Sequence, residues 1–156
     1  MRVIALDCEM VASGNRSLLA KVSVVDEYCD VLLNCYVKPT AIVTDYRTGL
    51  HGIDKHDLET GRPFDSVRGE VANLLSGKIL VGHSLHFDLQ ALNLSHPEND
   101  TRDFAKNPRF MKNGQPRALK DLAREFLQKS IQVNLHDSLE DARTCMQLYK
   151  RVASQW

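Results

Sequence analysis

Apolar residues follow a strand-like pattern in the first part of the chain. The stretch 3–11 is dominated by apolar residues and predicts a buried strand. After a turn at 13–15, the stretches 19–26 and 31–37 predict two more strands, the second of which ends before Pro39. Because only short turns separate the three segments, they are predicted to form an antiparallel meander.

From residue 64 onward the apolar residues follow helical spacing, interrupted by one short apolar run. This pattern predicts a helix over 64–75, a strand over 78–82 and a helix over 87–94. Two further amphipathic helices are predicted over 119–127 and 139–152. Strands therefore alternate with helices in this half of the chain, which is typical of α/β folds.

The two halves together predict an α/β fold built on a mixed sheet. An antiparallel three-strand meander continues into parallel strands, with helices on both faces. The stretch 95–117 is rich in Pro, Asn and Gly and is predicted to be mostly loop. A chain of 156 residues is long enough to bury a proper core, and residues 1–156 are predicted to form a single domain.

Composition and charge narrow the function classes. Hydrophobic residues make up 43% and charged residues 26% of the chain, as in soluble globular proteins. The formal net charge of zero argues against a broad basic face for nucleic acid, so a polyanion would be bound locally. No apolar run approaches the roughly 20 residues that span a bilayer, which predicts an intracellular protein without a membrane partner. The four cysteines form no CxxC pair, which disfavours a zinc site and predicts reduced, buried thiols.

Two acidic residues interrupt the first predicted strand. Asp7 and Glu9 lie two positions apart, so a strand places both side chains on the same face. Two partly buried like charges repel, whereas a divalent cation between them stabilises the pair. Carboxylates are ligands that Mg²⁺ and Mn²⁺ prefer, and these ions catalyse phosphodiester cleavage. The alternative is a strand edge whose acids face water, and the apolar neighbours disfavour it.

Two later segments add acids and a histidine. Asp88 follows a predicted strand and lies in the helix after it, a place where ligands of α/β sheets collect; the alternative is an acid that only stabilises the helix dipole. Further on, Asp137 and Glu140 have the spacing of a capping box, which explains them structurally. His136 and Asp141 are not explained in this way, and a base beside a metal ligand is the hypothesis for them.

In their order along the chain, these residues resemble the motifs of the DEDDh branch of the DnaQ-like exonucleases, whose fold is RNase H-like. The matching positions are Asp7-x-Glu9, Gly82-His83 leading to Asp88, and His136 with Asp141. A closer resemblance, to the Rex-type RNA exonucleases, the interferon-stimulated exonuclease and the apoptosis-enhancing nuclease, covers nearly the whole chain. It rests on Asp7-Cys8-Glu9-Met10-Val11, Tyr36-Val37-Lys38-Pro39, Thr44-Asp45-Tyr46-Arg47-Thr48, Gly52-Ile53 and Val81-Gly82-His83.

The resemblance implies a metal-dependent 3′→5′ exonuclease domain that releases nucleoside 5′-monophosphates by a two-metal mechanism. The catalytic carboxylates expected to bind two divalent metal ions, Mg²⁺ or Mn²⁺, are Asp7, Glu9, Asp88 and Asp141. His136 is expected to act as the general base. Met10 and Arg47 match positions that lie against the terminal ribose of the substrate. An alternative for Arg47 is that it braces a loop together with Asp45.

The expected partner is single-stranded nucleic acid with a free 3′ end, with RNA favoured over DNA. This preference rests on the resemblance and on Arg47, which is able to donate to the 2′-hydroxyl that distinguishes RNA. Open alternatives are a DNA-preferring exonuclease, a catalytically weak nucleic-acid-binding module on the same fold, and a metal-dependent phosphatase acting on small substrates. We expect a monomer, located in the nucleus or nucleolus rather than in the cytoplasm.

The chain departs from the pattern of these relatives without losing an expected metal ligand. The departures are His51, Phe87, Phe104 and Asp137, where the pattern has Ser, Asn, Thr and Ser. Phe87 and Asp137 are expected to affect the grip on the substrate or the pH profile rather than the class of reaction. Near Asp88, His83 and His86 are predicted to have structural roles, and Asp103 is predicted to support the fold.

Overall fold

The computed structural model describes residues 2–156. The strands are β1 (Val3–Ser13), β2 (Arg16–Asp26), β3 (Val31–Tyr36), β4 (Ile79–Gly82) and β5 (Thr101–Asp103). The helices are α1 (Thr48–His51), α2 (Lys55–Glu59), α3 (Phe64–Leu75), α4 (Leu85–Leu92), α5 (Leu119–Leu127) and α6 (Ser138–Val152). Short 3₁₀ turns cover Glu98–Asp100, Pro108–Phe110 and Ala153–Gln155. Over residues 2–156, no helix has the length and apolar character that a membrane span requires.

The strands form one five-stranded sheet in the order β3-β2-β1-β4-β5. β1, β2 and β3 pair in antiparallel fashion, whereas β4 pairs parallel to both β1 and β5. This arrangement confirms the predicted mixed sheet with a three-strand meander. It also makes β1, which carries the first acid pair, the central strand.

Helices cover both faces of the sheet, as predicted. On one face, Ile4 and Leu6 of β1 pack with buried residues of α3 and α4. On the other, Ala5 packs with buried residues of α5 and α6. Fully burying an aliphatic side chain such as Leu6 contributes about 1.5–3 kcal/mol to the free energy of unfolding. Because side chains alternate along β1, Asp7 and Glu9 lie on the same face as Ala5, which is the face that α6 covers.

A β-bulge interrupts the pairing of β1 and β2 next to the acid pair. Glu9 is opposite Lys21, whereas the next residue, Met10, is opposite Leu19. Ala20 is therefore the extra residue on β2. Beyond the bulge, both strands extend further than the sequence pattern indicates, since β1 ends at residue 13 and β2 begins at residue 16.

Helix α4 begins two residues earlier than predicted and ends two residues earlier. The carboxylate of Asp103 accepts hydrogen bonds from the N–H groups of Ser84 and Leu85, at 2.8 and 2.9 Å, and so satisfies the start of the helix. At the other end, Asn93 has a left-handed φ of 52°, which terminates the helix. Both causes are tertiary or conformational and leave no trace in the apolar spacing.

The prediction that 95–117 is mostly loop is confirmed, with one short strand that was not predicted. Thr101–Asp103 forms β5, which pairs with β4 at the edge of the sheet. This strand is short and partly polar, and its partner rather than its own sequence determines it. The short helices α1 and α2 were not predicted either, although Asp54 and Asp57 form a reciprocal capping box at the start of α2.

Candidate metal-dependent active site

Three carboxylates from β1 and α6 come together on one face of the sheet. Ligand oxygens of Asp7, Glu9 and Asp141 all lie within 4.8 Å of one another. The two acids of β1 share a face because strand side chains alternate. Asp141 joins them because it lies in the first turn of α6, which packs across β1 and β2. Three of the four predicted metal ligands are therefore brought together.

Asp88, the fourth predicted ligand, lies beside this group and is held by the backbone of β1. Its Oδ1 accepts a hydrogen bond from the N–H of Cys8 at 2.8 Å. Cys8 is the residue between the two acids of β1, so Asp88 contacts the strand at the point where the site is built. Gly82 allows α4 to begin this close to β4, since a Cβ at residue 82 would clash with the side chain of Leu85 at the start of α4.

The carboxylates are buried and raise one another's pKa. Glu9, Asp88 and Asp141 are only 7%, 4% and 4% exposed. Burial, together with the charges of Asp88 and Asp141, holds the pKa of Asp7 well above its usual range. Burial and the charge of Asp141 raise the pKa of Glu9 to about 8. Burial raises the pKa values of Asp88 and Asp141 to about 7 each, although each accepts a hydrogen bond that opposes the shift.

This donor set fits a divalent cation. Carboxylate oxygens are the hard ligands that Mg²⁺ and Mn²⁺ prefer, and three of them are close enough to share one ion. Without a cation or extra protons, buried like charges destabilise the fold, as the raised pKa values of these groups indicate. The arrangement is therefore explained by cation binding better than by a structural role of the acids.

His136 lies in the loop that leads into α6, directly before the N-cap Asp137 and five residues before Asp141. Its side chain is half-buried, and its backbone N–H donates a hydrogen bond to the carbonyl of Leu50 at 2.8 Å. Across the same contact, Leu135 approaches Gly52. The loop that carries the predicted general base is thus fixed to the segment around α1.

The start of α6 differs from the predicted capping box. Asp137 is the N-cap, and its Oδ1 accepts from the N–H of Leu139 at 3.4 Å. Glu140 instead accepts, through Oε1, from the N–H of Gln132 at 3.0 Å. The reason is the left-handed φ of 55° at Gln132, which turns the preceding loop back over the first turn of the helix.

Two polar links fix α6 to β2 beside the site. The Lys21 ammonium donates a hydrogen bond to Oδ1 of Asp137 at 2.7 Å. Lys21 is the residue of β2 that is opposite Glu9. Although burial opposes the shift, the hydrogen bond and charge of Lys21 lower the pKa of Asp137. The hydroxyl groups of Ser23 and Ser138 are 2.7 Å apart and both residues are fully buried. The first turn of α6, with its acid, is therefore held against the centre of the sheet.

Gln132 is a site residue that the sequence patterns did not reveal. Its Nε2 donates a hydrogen bond to Oδ1 of Asp141 at 3.0 Å. A donor on a ligating carboxylate orients it, and such partners typically change metal affinity by about 10–100-fold. A glutamine in a polar loop gives no signal of this role without the fold.

We expect Gln132→Ala to weaken Mn²⁺ binding by about 10–100-fold, because the Asp141 carboxylate loses the donor that orients it. The measurement is the Mn²⁺ concentration that half-saturates the rise in melting temperature, which does not depend on activity. Gln147→Ala is the matched control, since this exposed glutamine on α6 contacts Lys129. Equal Mn²⁺ affinity of the Gln132 variant and the wild type would contradict the positioning role.

Met10 and Arg47, the predicted substrate-binding residues, lie on neighbouring segments. Met10 lines a cleft of about 630 Å³. Arg47 has a left-handed φ of 51°, and its N–H donates to Oδ1 of Asp45 at 2.9 Å, so Asp45 does brace this loop. The half-buried side chain of Arg47 reaches Ser17, with Nη2 and Oγ 3.5 Å apart. The bracing and a substrate contact by the guanidinium are thus compatible.

His51 joins this loop to β1. Its Nδ1 accepts from the N–H of Ile53 at 3.2 Å, so its Nε2 carries the proton that is donated to the carbonyl of Met10 at 2.9 Å. Burial lowers the pKa of His51, which favours this neutral ring. A histidine at this position therefore serves to hold the loop.

The predicted structural roles near Asp88 agree with the contacts of two residues. Nε2 of His83 lies 2.7 Å from the carbonyl of Arg117, which links the end of β4 to the segment before α5. Asp103 accepts from three backbone N–H groups, those of Ser84, Leu85 and Ala105. It is fully engaged in supporting the fold. His86 is exposed, and its ring lies 3.9 Å from that of Phe87.

Comparison with known proteins agrees with this geometry. A family model for exonucleases, RNase_T, matches residues 4–149. The chain belongs to this exonuclease family. The match covers the sheet except Val3 and includes every predicted site residue, so the carboxylates lie inside the exonuclease fold and not in an added segment.

Curated relatives of this exonuclease chain are longer proteins. It is 44% identical to RNA exonuclease 4 of Mus musculus over 99% of the chain and 37% of that relative. It is 42% identical to the apoptosis-enhancing nuclease of Homo sapiens over 99% of the chain and 51% of that relative. The chain thus spans between about a third and half of the length of these relatives.

Solved structures of the same fold come from Pan2 proteins. The Neurospora crassa Pan2 catalytic unit, comprising protease and nuclease domains, superposes with a TM-score of 0.88 at 28% identity, over 98% of this chain and 27% of that chain. The Saccharomyces cerevisiae Pan2 module in complex with A7 RNA gives a TM-score of 0.87 at 29% identity, over 98% and 28%. These matches confirm the RNase H-like exonuclease fold.

Proposed function

We propose that this chain is a metal-dependent 3′→5′ exonuclease that releases nucleoside 5′-monophosphates from single-stranded RNA. The observation that carries the proposal is the group formed by the half-buried Asp7 and the buried Glu9 and Asp141, whose ligand oxygens lie within 4.8 Å of one another in a chain of the exonuclease family. Relatives that are named RNA exonuclease 4 support RNA as the substrate. On this proposal, residues 1–156 act as one exonuclease domain.

The proposed metal ligands are the three carboxylates of the group, with Asp88 beside them. When bound, two divalent ions, Mg²⁺ or Mn²⁺, neutralise charge on the phosphate and make water a better nucleophile. The acids would hold the ions, and the positive charge of the ions would offset the repulsion between the carboxylates. Asp88 keeps one oxygen on the Cys8 N–H, which fixes its side chain relative to β1.

His136 is proposed to take the proton from the attacking water. A histidine suits this role because it exchanges a proton near neutral pH, and general bases contribute about 10²–10⁴-fold to the rate. The hydrogen bond from the backbone N–H of His136 to Leu50 and the N-cap Asp137 that follows hold the loop in place. The base would therefore be presented beside the carboxylates by a fixed segment.

The preference for RNA is proposed to depend on Arg47. Its guanidinium lies within reach of Ser17 on the β1–β2 hairpin, near Met10, and carries donors for a 2′-hydroxyl or a phosphate. A contact to the 2′-hydroxyl would favour RNA, whereas a phosphate contact alone would leave RNA and DNA equivalent.

The test uses RNA and DNA of one sequence, labelled at the 5′ end, with a free or a blocked 3′ end. With Mg²⁺ or Mn²⁺ we expect a ladder that shortens from the free 3′ end, faster on RNA. His136→Ala should lower the rate by about 10²–10⁴-fold because the base is lost. His56→Ala, which changes an exposed histidine on α2, is the control and should act like the wild type.

Three outcomes would contradict parts of the proposal separately. Equal digestion of blocked and free ends would exclude the 3′→5′ direction. Equal rates for His136→Ala and the wild type would exclude the assigned base. Faster digestion of DNA would replace RNA by DNA as the substrate and leave the exonuclease activity standing.

A further inference from the structure

A cleft of about 630 Å³ lies on the sheet face that carries α3 and α4. It is bordered by the tip of the β1–β2 hairpin, by the segment after β3, and by residues of α3 and α4. Met10 and Phe87 both line it, and they directly follow and precede the site acids Glu9 and Asp88 in the chain. The cleft therefore lies next to the site acids along β1 and α4 and contains none of them.

The charge of the cleft is opposite to that of the site. Among the described residues that line it are two exposed cations, Arg16 and Lys38, and no Asp or Glu. The other polar lining includes the amide side chains of Asn15, Gln90 and Asn93. In a chain with 20 acidic residues and no net charge, a cleft with two cations and no acid favours an anionic ligand.

The cleft also offers an aromatic surface. The side chain of Phe87 is 58% exposed, which is unusual for an aromatic residue with no partner in the core. The ring of His86 lies against it with centroids 3.9 Å apart. Met10 and Phe64 add further apolar lining. An exposed ring beside cations is the combination that binds single strands, with bases stacked and phosphates paired.

We propose that this cleft binds the nucleotides upstream of the terminal one, with phosphates at Arg16 and Lys38 and a base stacked on Phe87. This inference deepens the proposed exonuclease function and rests on it. The carboxylate site binds the scissile phosphate. Two further cations fit two further phosphates, and in a nucleic-acid substrate the upstream strand supplies them.

The first experiment compares two substrates of the full chain. One is a single-stranded RNA decamer, and the other is the p-nitrophenyl ester of thymidine 5′-monophosphate, which has a cleavable phosphodiester but no upstream strand. The variant Arg16→Ala/Lys38→Ala should lower the ratio of the two kcat/KM values, decamer over ester, by about 10–100-fold. The cause is the loss of two phosphate contacts, which only the decamer makes.

The matched control is Lys120→Ala/Arg124→Ala. It removes the same charge from two exposed positions of α5, on the opposite face of the sheet. Because the net charge changes equally in both double variants, a general electrostatic effect would lower the ratio in both. A fall confined to the cleft variant supports the proposal.

A binding measurement separates stacking from charge and does not require turnover. The probe is the same decamer with a phosphorothioate terminal linkage, followed by fluorescence anisotropy at several salt concentrations. The cleft double variant should reduce the slope of log K against log[salt] by about 1.4, since each single-strand phosphate contact contributes about 0.7. Phe87→Ala should weaken binding about tenfold and leave the slope unchanged.

The outcomes distinguish this inference from the proposed function. If the ester loses as much kcat/KM as the decamer, the cleft holds the terminal nucleotide and the proposal is overturned. If the cleft double variant changes neither the ratio of kcat/KM values nor the salt slope, the upstream strand does not bind in the cleft and the proposal is overturned. If the wild type cleaves neither substrate yet shows the predicted cleft-dependent binding, the exonuclease proposal fails and the upstream binding site stands.

Discussion

Asp141→Asn is expected to lower the exonuclease rate by about a thousandfold and, without metal, to raise the melting temperature. The rate falls because one carboxylate of the metal-binding group is lost, an effect of roughly 4 kcal/mol on the transition state. The metal-free fold gains stability because a buried carboxyl that repels Asp7 and Glu9 becomes neutral. The amide oxygen still accepts from Gln132, so the packing is kept. A gain of about 1–2 kcal/mol corresponds to roughly 2–8 °C.

The opposite signs of the two effects make the test specific. Thermal unfolding in a metal chelator and digestion of labelled RNA are measured on the same preparation. Asp121→Asn, in the first turn of α5, is the control because it removes an acid outside the site, and it should leave the rate unchanged. A metal-free Asp141→Asn protein that is less stable than the wild type would contradict the account of repulsion. An active variant would contradict the ligand assignment.

The metal-free protein should lose stability as the pH rises from about 4 to about 8. The pKa of Glu9 in the folded state is about 8, and those of Asp88 and Asp141 are about 7, all above the ordinary values for these residues. Between the unfolded and folded pKa values, the folded state binds more protons, so the free energy of unfolding falls with rising pH. Each group contributes in proportion to its shift, and the loss continues as the pH passes through the folded-state pKa values, up to and beyond about pH 8.

Saturating Mn²⁺ or Mg²⁺ should reverse part of this loss. A cation takes the place of the protons, and at 100 times its dissociation constant a ligand adds about 2.7 kcal/mol to the free energy of unfolding. The Lys21–Asp137 pair has the opposite sign, since the lowered pKa of Asp137 gives stability that is lost as the pH falls. Urea unfolding from pH 5 to 8, with chelator or with metal, measures the difference. Equal stability at both ends of the range in chelator would contradict the raised pKa values.

The sequence predicted the parts of the molecule that depend on local pattern. The alternation of β1 placed Asp7 and Glu9 on one face, and the acid after β4 and the acid in α6 arrived in the order that the resemblance required. The meander and the four longer helices followed from apolar spacing and turn residues. In each of these cases, a periodic burial pattern left a signal within a single segment.

What the sequence did not predict depends on partners that are distant in the chain. Thr101–Asp103 becomes a strand only because β4 presents an open edge. Gln132 approaches Asp141 only because the loop turns back over α6. Lys21 meets Asp137 across 116 positions of the chain. None of these contacts alters the spacing of apolar residues, so each requires the assembled fold.

The bulge at Ala20 limits the ways in which the hairpin of β1 and β2 can change length. The regular ladder on one side of it holds the acids, and the other side leads to the hairpin tip with Arg16 and Ser17. Because strand side chains alternate, inserting or deleting one residue between the bulge and the tip would turn Arg16 to the opposite face of the hairpin. Changes of two residues would preserve its direction. A hairpin lengthened or shortened by two residues would therefore keep both the direction of Arg16 and the register of Asp7 and Glu9.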